Sequence, residues 1–298
     1  MSWSIRLLYG CLWLFARLPL RSLHWLGAGL GRLAWWRNGR ARRVTEANQR
    51  LLLAHGAPRL DVANVLRETG KSVLEVAAIW CRPPQRALSL VREVRGEELF
   101  SQALQSGRGL IIAAPHLGCW EVLNYWLAAR TQLAIVYRPP KQAAMEPLLR
   151  KARGGLEVEQ VRAEGAGVRS LYKRLAAGGV VGILPDQQPK QGDGEFAPFF
   201  GVEALTMVLL PRLAARTGAT VLFAFAERLP RAAGYRVHIL PAPEGIADSD
   251  LRRACSALNR GVEDCVRLAF DQYQWHYKRY SIRPAGSSET PYAAITAG

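Results

Sequence analysis

The chain has 298 residues with 49% hydrophobic content, which is enough to bury a large core as one domain or two closely packed domains. Its 40 Lys and Arg residues outnumber its 24 Asp and Glu residues, so we expect a polyanionic partner: nucleic acid, an anionic membrane surface, or an acidic protein or substrate. No recognition-helix, zinc-finger or aromatic RNA-binding pattern accompanies this charge, so nucleic acid is not the expected partner.

The types and spacing of the basic, cysteine and histidine residues indicate which ligands the protein can bind. Only six of the basic residues are lysine, and the planar guanidinium of arginine suits contacts with phosphates and carboxylates. Five cysteines form no paired motif, and five histidines are far apart in the sequence. These spacings predict reduced structural thiols and no metal centre.

Residues 1–40 are rich in Leu and Trp, but arginines divide them into apolar runs of about ten residues. A membrane-spanning helix needs roughly 20 mostly apolar residues. The segment is therefore predicted to be helical and amphipathic and to lie in or on a membrane, with a pair of ordinary buried helices as the alternative. The basic cluster at 37–43 would face anionic headgroups on the cytoplasmic side.

Residues 42–82 predict two helices, because their apolar positions recur three and four residues apart. From about residue 108, short apolar runs alternate with helical patterns. The predicted strands are 109–115, 133–138, 180–185, 219–229 and 235–243, and the predicted helices are 118–132, 143–155, 167–179, 205–218 and 251–280. This alternation predicts an α/β fold with a central, mostly parallel sheet flanked by helices. We assign it to residues 41–285, followed by a flexible tail over 286–298.

Ligands of such sheets bind beyond the carboxyl ends of the strands. Chemically useful side chains follow three of the predicted strands: His116, Arg138, and Asp186 with its neighbour Gln187. The carboxyl ends of parallel strands lie at one edge of the sheet, so the sequence predicts a site there.

His116 and Glu121 are the first candidate catalytic pair. On a regular helix, residues five apart are separated by roughly 140° and do not share a face. They can meet only if His116 lies in a turn before the helix, and Pro115 and Gly118 supply such a turn. A histidine there would lie near free backbone N–H groups that can stabilise an oxyanion. The alternatives are a chance pairing and a nucleophile at Cys119, which we expect instead to be a packing residue.

A series of motifs carries a family resemblance over nearly the whole chain. It comprises "RRVTEANQRLLL", "PHLGCWE" after an apolar strand, "VYRP", "GVRSLYKRLAAGGVVGILPDQ", "FAPFFG" and "NRGVEDCVRLAFDQYQWHYKRYSIRPAG". The series resembles the lipid A late acyltransferases, the lauroyl and myristoyl transferases of lipopolysaccharide synthesis, within the lysophospholipid acyltransferase superfamily. Glu121 stands where glycerol-phosphate acyltransferases usually carry aspartate. The residues after "YRPP" lack the asparagine-rich run that is common in the family.

The resemblance implies a role for each site residue. His116 would be the general base and Glu121 its orienting partner. Arg138 would bind phosphate or help to stabilise the oxyanion, and Arg169 would contact phosphate or the acyl donor. Asp186 and Gln187 would line the substrate pocket.

The implied reaction is acyl transfer from an acyl carrier protein thioester to a hydroxyl of a lipid A precursor, with no metal or organic cofactor. Both partners, the carrier protein and the anionic lipid acceptor, are acidic and match the basic composition. The implied location is the cytoplasmic face of the cell inner membrane, whether peripheral, monotopic or single-span. The alternatives are an acyltransferase for a lysophospholipid or an amino-acid lipid, and a non-catalytic homologue that binds membrane lipid or carrier protein.

Overall fold

A computed structural model describes residues 10–137, 158–287 and 290–296. In chain order, helices α1 and α2 come before the helices and strands that form and cover the central sheet. The helices are α1 (Leu20–Trp36), α2 (Arg40–Ala54), α3 (Val62–Trp80), α4 (Pro84–Leu88), α5 (Glu97–Gln105), α6 (Trp120–Ala128), α7 (Ala166–Ala176), α8 (Leu209–Thr217), α9 (Leu251–Leu268) and α10 (Ala293–Thr296). The side chain of Asp61 caps α3, and the side chain of Asp250 caps α9, each accepting hydrogen bonds from backbone N–H groups of the first turn.

A seven-stranded sheet forms the centre of the fold, in the order β1-β9-β8-β2-β5-β3-β4. Its strands are β1 (Val91–Arg95), β2 (Leu110–Ala113), β3 (Leu133–Tyr137), β4 (Glu159–Arg162), β5 (Val180–Ile183), β8 (Thr220–Arg228) and β9 (Tyr235–Pro241). All neighbouring strands are parallel except β8 and β9. β2 and β5 are buried along their whole length because helices cover both faces of the sheet. The predicted mostly parallel α/β fold is confirmed.

Several predicted boundaries differ from the structure. The helix predicted over 205–218 begins only at Leu209, because residues before it form a β-hairpin of β6 (Gly194–Phe199) and β7 (Val202–Met207). The helix predicted over 251–280 ends at Leu268, after which the chain turns back toward the sheet. The helix predicted over 143–155 lies outside the described residues.

Helix α1 packs closely on α3. A Cβ atom at Gly31 would lie 2.1 Å from the carbonyl oxygen of Leu66, and one at Gly70 would lie 2.0 Å from that of Gly27. The two backbones can approach this closely only because these positions have no side chain. Helix α1 is therefore held against the body of the fold at a fixed position.

The outward face of α1 is apolar. Trp25 is 74% exposed and Trp36 is 75% exposed, and Leu30 and Leu33 are also exposed. Within the described residues, no helix is both long enough and apolar enough to cross a membrane. Exposed tryptophans beside arginines are the pattern predicted for a segment at a membrane surface.

The chain end packs against α2. Tyr292 is buried, and its hydroxyl donates a hydrogen bond to Asn48. Helix α10 follows directly, and Ile295 is buried with Tyr292 in the main core. Within the predicted flexible tail over 286–298, the described residues Tyr292 and Ile295 are therefore packed, because burial of an aromatic ring and an aliphatic side chain is favourable.

We predict that Gly31→Ala destabilises the protein by about 1–3 kcal/mol, since the new Cβ atom overpacks the contact between α1 and α3. Gly29→Ala is the matched control on the same helix, because nothing lies within 4 Å of the Cβ position there. The measurement is urea unfolding of both variants followed by circular dichroism. Equal stability of the two variants would show that the close contact does not hold α1 in place.

Candidate active site

Strand register brings His116 and Asp186 together. In the parallel pair of β2 and β5, Ala113 lies opposite Ile183. His116 and Asp186 each come three residues after these partners, so both leave the sheet at the same edge. Helix α6 begins at Trp120, which places His116 in the turn before the helix, as predicted.

Both ring nitrogens of His116 have partners. Nδ1 lies 2.8 Å from a carboxylate oxygen of Asp186, whose other oxygen accepts the backbone N–H of His116 at 2.9 Å. The side-chain amide of Gln187 donates to Nε2 at 3.1 Å and to the side-chain oxygen of Gln274 at 3.3 Å. These contacts require a proton on Nδ1 and a lone pair on Nε2, which is the tautomer of a general base.

Asp186 is ionised at neutral pH. Burial alone would raise its pKa, but the attraction of His116 and the hydrogen bonds from its ring and backbone hold the pKa below the usual value. A buried carboxylate at Nδ1 fixes the ring orientation and stabilises the imidazolium that forms when Nε2 accepts a proton. The family motif predicts this contact for Glu121, whereas in the structure Asp186 makes it.

The backbone N–H groups of residues 116–119 are all bonded within the protein. They donate, in order, to Asp186, Pro115, Gln272 and Ala226. The expectation that this turn offers free donors for an oxyanion is therefore wrong for these four groups. These four hydrogen bonds instead fix the turn to the residues around it.

Gly118 is required by the geometry of the same turn. Its φ angle is 62°, in the left-handed region, and a Cβ atom there would lie 2.0 Å from the carbonyl oxygen of Ala226. The carbonyl oxygen of Gly118 accepts a hydrogen bond of 2.7 Å from the guanidinium of Arg228. The turn that carries His116 is thus tied to the end of β8.

Arg228 is the centre of a buried ion network. Its guanidinium donates to both carboxylate oxygens of Glu75, at 2.8–3.0 Å, and to Glu68 and Ser72. His24 of α1 lies 3.0 Å from Glu75. Burial alone would raise the pKa of Glu75, but Arg228 and His24 lower it to about 2. The network therefore connects α1, α3, β8 and the His116 turn through charges that are all partnered.

Two cavities meet at His116 and Trp120. The strand-end cavity, of about 580 Å³, lies beyond β2, β3 and β5 and is lined by apolar side chains with Asn124, Tyr172 and Arg212. The α3 cavity, of about 300 Å³, lies between α3 and residues 272–276. Their volumes and mixed linings are those of small-molecule sites.

The loop after α9 supplies residues that the sequence analysis missed. Gln274 contacts Gln187, and His276 lines the α3 cavity with His116. Burial, with the positive charge of Arg40, lowers the pKa of His276 to about 4, so it is neutral at physiological pH. The run "QYQWHYKRY" contains both side chains, but the sequence predicts a continuous helix there, and such a helix would lie away from the strand ends.

The other predicted site residues fall in different places. Glu121 is 2% exposed in the first turn of α6, where the helix dipole favours a carboxylate. Arg169 is exposed on α7, whereas Val168 and Tyr172 of that helix line the strand-end cavity. Arg138 directly follows β3 and lies outside the described residues.

Cys119 is not suited to act as a nucleophile. The side chain is buried, and burial, reinforced by the charge of Glu75, raises its pKa well above the usual value. A thiol that resists ionisation is a poor nucleophile. No disulfide bond joins any of the five cysteines, all of which lie in the part of the chain that the structure describes.

The sequence is similar to characterised bacterial enzymes over almost its full length. Residues 1–281 match the family described as bacterial lipid A biosynthesis acyltransferase. The lipid A biosynthesis palmitoleoyltransferase of Escherichia coli is 28% identical over 288 residues, which cover 94% of this chain and 91% of the relative. The lipid A biosynthesis lauroyltransferase of Escherichia coli is 27% identical, with 95% and 93% coverage. A lipid A biosynthesis acyltransferase of Shigella flexneri is 28% identical, with 94% and 91% coverage.

Matches of this extent establish the class: the protein is an acyltransferase. The chain belongs to the bacterial lipid A biosynthesis acyltransferase family, which its sequence motifs resemble.

We predict that acid destabilises the protein through Glu75. Because the pKa of Glu75 is lowered from 4.5 to about 2 on folding, its stabilising contribution is complete above pH 4.5 and disappears as the pH falls toward 2. Glu75→Gln should be about 3–5 kcal/mol less stable at pH 7, because Arg228 loses its main partner. Its free energy of unfolding should also fall less steeply below pH 4.5, by up to about 1.4 kcal/mol per pH unit.

Urea unfolding across this pH range is the measurement, with Glu98→Gln as the control because Glu98 is exposed. An unchanged acid slope in Glu75→Gln would contradict the buried ion pair.

Proposed function

We propose that the protein transfers a fatty acyl chain from an acyl carrier protein thioester to a hydroxyl of a lipid A precursor, with His116 as general base. The main support is the geometry of His116: its Nδ1–H is held by a buried carboxylate, and its Nε2 lone pair lies where two cavities meet. Membership of the lipid A acyltransferase family supplies the reaction class.

In the proposed step, the acceptor hydroxyl replaces the Gln187 amide at Nε2 of His116. His116 takes the hydroxyl proton while the oxygen attacks the thioester carbonyl carbon. The tetrahedral intermediate then collapses, the C–S bond breaks, and the imidazolium returns the proton to the departing carrier thiolate. The products are an ester and a free carrier thiol, so protons and electrons balance without a cofactor.

Asp186 and Glu121 have separate proposed roles. Asp186 orients the ring through Nδ1, as its hydrogen bond suggests. Glu121 remains the acid of the His/Glu pair that the motif predicts, and we propose that its buried negative charge stabilises the imidazolium. Its burial in the helix that directly follows the His116 turn supports this role.

Gln187 is the proposed donor to the oxyanion. Its amide N–H groups already point at Nε2 and at Gln274, so a small rotation would direct one at the carbonyl oxygen of a bound thioester. Arg138, which the family resemblance also places at this charge, is a second proposed donor to the oxyanion. Arg169, exposed on α7, remains a proposed contact for the donor or for a phosphate.

Net charge supports the proposed donor, and the exposed apolar face of α1 supports the proposed membrane location. An acyl carrier protein is acidic, and this chain has a formal net charge of +16. The exposed apolar face of α1 would rest on the cytoplasmic surface of the inner membrane, where a lipid acceptor is available.

We predict that His116→Ala and Asp186→Asn each lower kcat for acyl transfer by about 10²–10⁴-fold, because one removes the base and the other its orientation. Glu121→Ala should abolish transfer, wild-type rates in this variant would contradict the His/Glu pair, and the isosteric Glu121→Gln separates loss of charge from loss of packing. The measurement is transfer of a radiolabelled acyl chain from acyl carrier protein to a lipid A precursor.

Two controls accompany these variants. Glu263→Gln removes a mostly buried carboxylate that contacts the backbone of Phe200 instead of His116, and Cys119→Ala tests the rival nucleophile. Both should retain wild-type kcat within about twofold. Wild-type rates in His116→Ala would eliminate the proposed mechanism, and inactivity of Cys119→Ala in a folded protein would favour the thiol.

We also predict that lipid A from cells lacking the protein lacks one secondary acyl chain, which mass spectrometry of the extracted lipid detects. The sequence leaves acyltransferases for lysophospholipids and amino-acid lipids as alternatives. Unchanged lipid A with an altered phospholipid or amino-acid lipid profile would support those alternatives.

A further inference from the structure

A third cavity, of about 440 Å³, lies where α1 and α3 meet the turn after β8. We call it the α1 cavity. Arg21 and Trp25 of α1 and Arg231 of the turn form part of its lining, and the buried Arg228 network forms another part. Arg231 has a φ angle of 58°, in the left-handed region, so the turn holds it in a conformation that non-glycine residues seldom adopt.

The lining carries excess positive charge. Its charged side chains are Arg21, Lys71, Arg228 and Arg231 against the single carboxylate of Glu68. Lys71 is paired with Glu68, and Arg228 is paired mainly with Glu75 behind the cavity.

Arg21 and Arg231 are the other two positively charged side chains of the lining. Among the described residues, neither makes an ion pair or a side-chain hydrogen bond, and both are exposed. Two guanidinium groups at one cavity match an anion that accepts several hydrogen bonds, and phosphate is such an anion.

The apolar residues beside the cavity indicate that the bound anion also has an apolar part. Trp25 lines the cavity and is also part of the exposed apolar face of α1. On a regular helix, Trp25, Leu33 and Trp36 fall within roughly 80° of one another, so the apolar face runs from the cavity along the helix. A soluble phosphate ester would gain nothing from this face, whereas a lipid would bury its chains or interfacial region against it.

We propose that the α1 cavity binds the phosphate of an anionic lipid between Arg21 and Arg231. The site lies outside the catalytic residues and goes beyond the proposed function, because binding there does not depend on acyl transfer. Gln272 lines both the α1 cavity and the α3 cavity, which contains His116. A phosphorylated lipid held at Arg21 and Arg231 therefore lies next to the cavity that leads to the active site.

The test is flotation of the full chain with phosphatidylcholine vesicles, with and without phosphatidylglycerol. Arg21→Gln/Arg231→Gln should bind the anionic vesicles about tenfold more weakly or worse. Arg59→Gln/Arg108→Gln is the matched control, since it removes two exposed charges that lie outside the cavity, outside α1 and outside the basic cluster at 37–43. The control should retain most of the wild-type affinity. Equal losses in the two double variants, or no loss in either, would overturn the proposal.

Three further arms identify the ligand. Vesicles whose negative charge comes from a fatty-acid carboxylate should bind the wild type more weakly than phosphatidylglycerol vesicles of equal charge, and equal binding would contradict phosphate recognition. Vesicles carrying a phosphorylated lipid A precursor distinguish the acceptor from a bulk membrane lipid, and variant-sensitive binding to either supports the site. A thermal shift with inorganic phosphate that is lost in Arg21→Gln/Arg231→Gln would assign the cavity to a soluble anion instead.

Discussion

The buried pair of Arg228 and Glu75 is the interaction on which the rest of the structure depends. A guanidinium and a carboxylate are costly to remove from water, and the cost is recovered only where geometry and additional hydrogen bonds are favourable. Here Arg228 also donates a hydrogen bond to the carbonyl oxygen of Gly118 in the His116 turn. Glu75 also accepts a hydrogen bond from the hydroxyl of Tyr235 and lies 3.0 Å from His24. The requirement to partner two charges therefore fixes the positions of five separate segments: α1, α3, β8, β9 and the His116 turn.

The contact between His116 and Asp186 in the candidate active site depends on the sheet. Parallel strands of matching register end at the same edge, so residues 70 positions apart can meet without any contact between their flanking helices. His116 and Asp186 satisfy one another, and Asp186 accepts both the ring and the backbone N–H of the same residue. Such a double contact restricts the ring and its peptide together, which is the kind of support that precise proton transfer requires.

The sequence predicted the turn at His116 because proline, glycine and helix geometry act locally. It also predicted that Asp186 belongs to the site, because strand ends follow from hydrophobic runs. The hydrogen bonds between Asp186 and His116 could not be predicted, since they depend on which strands are neighbours in the sheet. Strand β1 was missed because "VREVR" is a charged edge strand. The β6–β7 hairpin was missed because "VEALTMVLL" is an apolar run whose period does not distinguish strand from helix.

The glycine contact between α1 and α3 has a consequence for reactions at a surface. Because α1 cannot slide or tilt without moving backbone atoms of Gly70 and Leu66, the contact restricts how far the tryptophans of α1 can move relative to His116. A lipid layer that meets Trp25 and Trp36 would then lie at a restricted height relative to His116. The helix would act as a spacer that sets how far out of the layer a lipid must rise before its hydroxyl reaches His116.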